Sequence, residues 1–502
     1  MVHSLRRSSL ALLVASGLSF ASTAHADAPV PVPAPVPAPS PSESPAAARA
    51  AHTPPQAPPN GSLLVDEATL NRLVDARIRA NAEAQKRTRE APKAAAELEP
   101  APFAQFDSTW MNGQSRQKEQ PLKLFDGALT FSAYFDMNYA FSSHHPKDHT
   151  LTGGASVSRH NEIGINLASF GLEWNHKNVI GRVAFQYGNL LNIVQDLDGT
   201  VARGRSLTAQ NLRYIREATA GYHFDVGKGL NVEGGIFMSY IGLESYLLAE
   251  NWNYTRSIVC DHTPFYFQGV RAQYFPTSRI KIEPWVMNGW QSYGKWNAAP
   301  SAGLALRYTP TEAVTLIANF YGGTDTKGVS GRVRVHHDNS ILVRYFDAPM
   351  SSFLSKAAFS LNTHAGFETG GEGLPGPEQA HMVGTSLVSR TWFAKNYLAL
   401  ALRGEVFSNP SSYLAQYPPP GFASGAGTAA LRAAGLTATF DVLPSDTFAF
   451  RAEISHRWSS RAYYAGPDGT TSADGFQPVD PAFAPDVRND QTLFVLGLNA
   501  RL

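Results

Sequence analysis

The chain predicts an all-β fold, a transmembrane antiparallel β-barrel of about sixteen strands, on three observations. From about Gly127 to Leu502, hydrophobicity alternates with period two in one segment after another. The connections between those segments run long, short, long, short to the end. Charged residues make up 17% of the chain, aromatics 11%, and glycines number 41; a globular chain carries about 25% charge. A strand facing lipid needs an apolar residue at every second position, and only a closed sheet satisfies its backbone in hydrocarbon. Barrels of the bacterial outer membrane join their strands by short periplasmic turns and longer external loops.

Taken in order, residues 1–26 read as a secretory signal. Arg6 and Arg7 precede an apolar stretch from Leu10 to Phe20, and Ala24-His25-Ala26 supplies small residues for cleavage. That stretch falls short of the roughly 20 residues of a spanning helix. Residues 27–61 form a Pro/Ala-rich linker, with proline at 29, 31, 33, 35, 37 and 39, and favour an extended periplasmic tether. Residues 62–92 read as a short helix, capped by Asp66 and stopped by Pro92. Its Leu70, Val74 and Ile78 fall on one stripe, which suits either a short coiled coil seeding a homotrimer or a weakly packed solvated helix. The connector, residues 93–126, carries Phe103, Phe106 and Trp110 and is expected at the barrel's periplasmic mouth. Cys260 is the only cysteine, so the chain forms no internal disulfide, and a shielded loop thiol is expected.

Residues 127–502 form the barrel. In the first strand Leu129, Phe131, Ala133, Phe135 and Met137 share one face, and Thr130, Ser132, Tyr134, Asp136 and Asn138 share the other. Short turns are predicted around Asn175-His176, Gly227-Lys228, Pro276-Thr277, Pro310-Thr311, Ala348-Pro349, Ala394-Lys395 and Pro444-Ser445. Long loops are predicted over residues 142–159, 190–210, 244–261, 291–298, 323–330, 369–379, 408–427 and 459–489. The chain ends on a strand whose apolar face is Phe494, Leu496, Leu498, Ala500 and Leu502. This is the form of signal that barrel-assembly machinery reads, although the last residue is not aromatic.

Runs spread along the chain carry a family resemblance. They are Thr109-Trp110-Met111-Asn112-Gly113-Gln114-Ser115-Arg116, Arg159-His160-Asn161-Glu162, Gly235-Ile236-Phe237-Met238-Ser239-Tyr240-Ile241-Gly242-Leu243, Glu283-Pro284-Trp285-Val286-Met287-Asn288-Gly289-Trp290-Gln291 and Gly331-Arg332-Val333-Arg334. From about Thr109 onward the chain resembles the OmpL-like β-barrel porin family of bacterial outer membranes. The resemblance implies the barrel and suggests a porin; it implies no catalytic residue and no solute.

A barrel of this size leaves an aqueous channel unless something fills it, and the leading segments are too short for the plug of a transporter with about 22 strands. Strand parity turns Arg182, Arg213, Arg271, Arg307, Arg332, Arg334, Arg344, Arg403, Arg451 and Glu453 inward as pore-lining residues. A basic wall concentrates anions; the alternative is that these charges pair across strands. The loop over residues 244–261, with Glu244, Glu250 and Asp261, is the candidate constriction, and the loop over 190–210 is its rival. His144, His145 and His149 share the first loop, and His336-His337-Asp338 lies near a strand. Imidazole suits transition metals, but clustered loop histidines are ordinarily just exposed polar groups, so no metal site, cofactor or catalytic residue is assigned. The net charge of +1 gives no basis for a nucleic-acid partner. The sequence therefore predicts a non-enzymatic outer-membrane porin, set in outer-membrane lipid and passing small hydrophilic solutes, with an anion preference. A non-conducting barrel serving as adhesin or envelope anchor is the alternative.

Overall fold

The computed structural model describes residues 101–118, 122–195, 212–295, 297, 299–326, 328–411, 413–414, 430–469 and 486–502. The signal, the linker and the helix expected at 62–92 lie outside these residues.

Sixteen strands make the barrel: β1 Leu129–Ser142, β2 Glu162–His176, β3 Val179–Tyr187, β4 Ile215–Phe224, β5 Leu230–Met238, β6 Tyr266–Thr277, β7 Ile280–Met287, β8 Ser301–Thr311, β9 Val314–Gly323, β10 Val333–Asp347, β11 Leu354–Thr369, β12 His381–Phe393, β13 Leu398–Asn409, β14 Leu431–Ser445, β15 Phe448–Ser459 and β16 Asp490–Arg501. Each pairs antiparallel with its neighbours in the chain, and β16 closes on β1 in register from Leu493↔Ser142 to Arg501↔Tyr134. Two-residue strands add a bridge at Lys123–Leu124 beside β1 and a pair, Tyr464–Ala465 with Val487–Arg488, in the last loop. Among the described residues no strand of the barrel has a free edge, which is the condition for a sheet to sit in hydrocarbon.

Alternation sorts the side chains as expected. On β1, Asp136 and Asn138 are buried inside, and on the outer surface Ile163, Val406, Leu436 and Leu496 are 74%, 59%, 60% and 61% exposed. These residues belong to an apolar belt of the kind that outer-membrane barrels turn to lipid.

Three of the seven short turns contain their expected centres, at 227–228, 348–349 and 394–395, and the other four are displaced in a consistent way. Strands run on through Pro276, Pro310 and Pro444, and the turns fall two residues later, at 278–279, 312–313 and 446–447. Each of these prolines sits where the register slips by a bulge, and there its missing N–H costs the ladder nothing. The first turn likewise shifts from Asn175-His176 to Lys177 and Asn178, which both have positive φ, 49° and 66°. That is the two-residue hairpin geometry that matches strand twist.

Candidate functional site

The long connection between β5 and β6, residues 239–265, turns into the barrel. Gly242 (φ 85°) is at its entry, a conformation that glycine adopts without strain. A Cβ there would come within 3.3 Å of the Cys260 sulfur. The loop carries a 3-10 turn, Leu248–Glu250, and a short helix α1, Ile258–His262, capped by the Ser257 hydroxyl. Trp252, Tyr254 and Cys260 are wholly buried.

Wall charges hold this loop by its main chain. Arg390 (β12) donates to the Trp252 carbonyl at 2.6 Å, and Arg451 (β15) donates to the carbonyls of Leu248, Asn251 and Trp252 at 2.8–3.0 Å. Arg457 (β15) reaches the Arg256 carbonyl at 2.7 Å, and Arg403 (β13) reaches that of Thr255. In the opposite sense, the Glu453 carboxylate accepts from the N–H groups of Tyr254 and Thr255 at 2.7 and 3.1 Å, and Glu405 accepts from Ile258 N–H at 2.6 Å. The charges are also paired with one another: Asp441 lies 2.6 Å from Arg390 and 2.9 Å from Arg451, and Glu405 lies 3.3–3.4 Å from Arg457 and Arg403. Buried charge is tolerable only when paired and hydrogen-bonded in this way.

The connector enters the lumen beside the short turns and meets the loop. Trp110 donates from its indole to the Glu312 carbonyl, and its own carbonyl accepts from the Trp252 indole at 2.8 Å. Asn112 accepts from Trp252 N–H at 2.8 Å and donates to Ser360. Gly113 (φ 70°) is packed so closely that a Cβ would lie 1.8 Å from the Leu243 carbonyl oxygen.

With loop and connector in place, the unfilled volume lies on the far side. A cavity of about 540 Å³ is bounded by the loop, the connector and the wall from β1 to β9. A second, of about 400 Å³, lies toward the short turns; the two share Glu173, Arg182 and Glu217. Their wall alternates in sign: Arg182 pairs with Glu173 and with Glu217 (2.9 Å), Arg271 with Glu233 (2.9 Å), and Lys281 with Glu283 (2.6 Å). Arg307 faces the larger cavity with no acid within 4 Å among the described residues. Its guanidinium touches the Met111 sulfur and stacks on Phe103.

The sequence-predicted residues thus divide. Arg182, Arg271 and Arg307 border the cavities. Arg403, Arg451 and Glu453 face inward but lie under the loop. Arg334 is sealed beneath Tyr413 and Trp290 and pairs with Glu368 at 2.7 Å. Arg344 sits at the short-turn end with Glu312 (2.7 Å), Asp347 (3.2 Å) and Asp107 (3.4 Å). Two are not on strands: Arg332 precedes β10 and binds the Gly370 carbonyl at 2.9 Å, and Arg213 precedes β4 and bonds Asn192. Parity cannot place a residue that lies in a loop.

Of the candidate constriction acids, Glu244 and Glu250 border the larger cavity. Glu244 also fixes Ser257, through its N–H at 2.6 Å and its hydroxyl at 2.7 Å. Burial raises the Glu250 carboxyl. Asp261 is tucked behind the loop, accepting from Ala155 N–H at 3.0 Å and lying 3.8 Å from Arg256. Burial pushes its carboxyl up to about 6, against the pull of Arg256 and Arg457. Burial likewise takes His262 down to about 4 and the Cys260 thiol up to about 12. In the rival loop a short helix, Asn189–Gln195, is described, with Leu190, Leu191 and Val194 buried; residues 196–211 lie outside the described set.

Sequence reasoning missed Arg216 and Arg256. Arg216 is the extra residue of a bulge between β3 and β4, so it shares the inside with its neighbour Glu217, which strict alternation forbids. Arg256 projects from the inward loop, for which no parity rule exists.

The chain is similar, at low identity, to several solved outer-membrane structures. An anion-selective porin from Comamonas acidovorans is 10% identical over 74% of this chain and 99% of its own (TM-score 0.44). OprB of Pseudomonas putida is 9% identical over 76% and 95% (0.48). The outer membrane channel DcaP of Acinetobacter baumannii is 10% identical over 76% and 99% (0.43). No curated protein matches the sequence. The family model described as "Putative beta-barrel porin-2, OmpL-like" matches residues 128–502, the whole of the closed sheet, and the chain belongs to that family of outer-membrane β-barrels.

Proposed function

We propose that the chain is a diffusion porin for small hydrophilic solutes, whose passage runs off-centre between the inward loop and the β1–β9 wall, with a mild preference for anions. The observation that carries this reading is the one-sided, charged cavity left once the wall of β12–β15 has bound the loop. Six cationic side chains border the larger cavity, against four side-chain carboxylates. Arg216 Nε, Arg256 Nε and Arg256 Nη1 are buried donors without a hydrogen-bond acceptor among the described residues. Unbonded guanidinium donors of this kind favour an anion at the cavity. Planar bilayers with the folded full chain test both parts: stable conductance steps and an anion-selective zero-current potential in a salt gradient are expected. A silent bilayer refutes the porin, and cation selectivity refutes the preference.

One observation favours the second reading, a non-conducting scaffold: the connector's Trp110, Met111 and Asn112 occupy lumen that a channel would leave open. Removing residues 27–118 distinguishes the two, since a conductance that appears only then assigns the intact chain to the closed state. A homotrimer seeded by residues 62–92 and insertion by barrel-assembly machinery complete the proposal.

A further inference from the structure

His336 and Asp338 on β10 and His364 on β11 converge inside the barrel, all three buried, with one potential ligand atom from each within 4.8 Å of the others. His337, their neighbour in the sequence, points to the other face and stacks on Phe320.

The hydrogen bonds around the pair fix its tautomers. Asn362 donates its amide to the Asn339 carbonyl and to Ser340, so its oxygen faces His364 Nε2 at 2.8 Å and can only accept. His364 therefore carries its proton on Nε2. Tyr413 gives its single hydroxyl proton to the Val335 carbonyl, so its oxygen accepts from His336 Nδ1 at 3.2 Å. That leaves His336 Nε2 and His364 Nδ1 facing each other at 3.0 Å, each with a lone pair. Two lone pairs at that distance repel unless a positive centre lies beside both. Asp338 adds a carboxylate held by Asn319 at 3.0 Å and by Gly242 N–H at 3.2 Å, with no cationic side chain within 4 Å among the described residues. Metal-binding histidines typically donate their second N–H to a fixed acceptor, and both of these do. Two nitrogens at about 2.1 Å from one ion, set near a right angle, would be about 3 Å apart.

We infer that His336, His364 and Asp338 bind one divalent first-row transition cation, which imidazole with carboxylate suits. The ion also ties the root of the inward loop, through Gly242, to the wall. The test is metal content of untagged full-length protein, refolded in detergent with Zn²⁺ or Co²⁺ and dialysed. About one ion per barrel is expected, falling to near zero in His364→Gln and in Asp338→Asn, and unchanged in His337→Gln. The first-loop histidines, exposed at His145 and half-buried at His149, are the competing site, so the double variant His145→Gln, His149→Gln must keep its ion. Should the buried variants fail to fold, the loop variant still excludes the competing site, since an ion kept there is not held by His145 or His149. Loss of the ion there, retention in His364→Gln, or no uptake by the wild-type chain overturns the proposal.

Discussion

Replacing Glu453 by Gln should release the inward loop, and the chain contains its own reporter. Glu453 accepts from the N–H groups of Tyr254 and Thr255 and from the Thr255 hydroxyl. Hydrogen bonds to a charged acceptor are worth about 1.5–3 kcal/mol each. Gln keeps the shape and one acceptor oxygen but presents N–H where the second oxygen was, so about two such bonds are lost, at the lower end of that range roughly 3 kcal/mol of loop docking. At about 1.4 kcal/mol per factor of ten, the undocked fraction rises roughly 100-fold. Cys260 is fully buried in the docked loop and its thiol is pushed up to about 12, so a maleimide reaches it only when the loop opens. Labelling of the folded barrel should therefore accelerate roughly 100-fold in Glu453→Gln, and hardly at all in Glu372→Gln on an exposed loop. Heat-modifiable mobility on gels confirms that each barrel is closed. A change below about threefold would mean that the Arg390, Arg403, Arg451 and Arg457 contacts hold the loop without Glu453, and the energetic argument fails.

Arg307→Glu reverses two charge units beside the cavity; at about 0.5 kcal/mol per unit charge 8 Å away in water, before screening, selectivity should move about fivefold toward cations, read from zero-current potentials. Trp110→Ala removes a buried ring at a cost of about 3–5 kcal/mol, so the connector should leave the lumen: trypsin should then cut after Arg116 or Lys118 in the folded barrel, and unit conductance should rise. Unchanged digestion and conductance would show that the connector is held elsewhere. Asp261 and His262 give opposite pH dependences over one window. Asp261, raised to about 6 by burial against the pull of Arg256 and Arg457, favours docking at low pH and loses that contribution as pH rises from its ordinary value to about 6. His262, lowered to about 4 by burial, with Arg457 and Arg256 adding to the effect and Glu405 opposing it, favours docking at high pH and loses that contribution as pH falls from its ordinary value toward 4. The wild-type labelling rate, corrected for thiolate, should be nearly flat from pH 5 to 7.5. Asp261→Asn should label faster at pH 5 than at 7.5, and His262→Gln slower.

The closed sheet was legible because it is a repeated local rule. Period-two alternation and loop-length alternation are each written within a few residues, and lipid enforces both on every strand. The errors arose where another local rule intervened: Pro276, Pro310 and Pro444 read as turn centres but sit at bulges, and the bulge beside Arg216 puts two successive residues inside. The site was legible only halfway. Alternation tells inside from outside, but here the inside has two environments, and which one a wall arginine meets depends on the path of the loop. That path is fixed by contacts such as Tyr254 with Glu453, 199 residues apart, for which no local pattern exists. The signal that could have helped was density of mixed sign. Along β12–β15 the inward positions include Arg390, Arg403, Glu405, Asp441, Arg451, Glu453 and Arg457, acids and bases interleaved and nearly all fully buried. A wall meant only to meet water has no need of so many paired charges, whereas a wall that must satisfy the bare carbonyl and N–H groups of a buried strap needs a donor or acceptor for each. Interleaved charge on one arc of a barrel, together with one long loop whose centre, Asn251-Trp252-Asn253-Tyr254, is polar and aromatic but uncharged, is thus a readable sign of an inward loop and of the arc it covers.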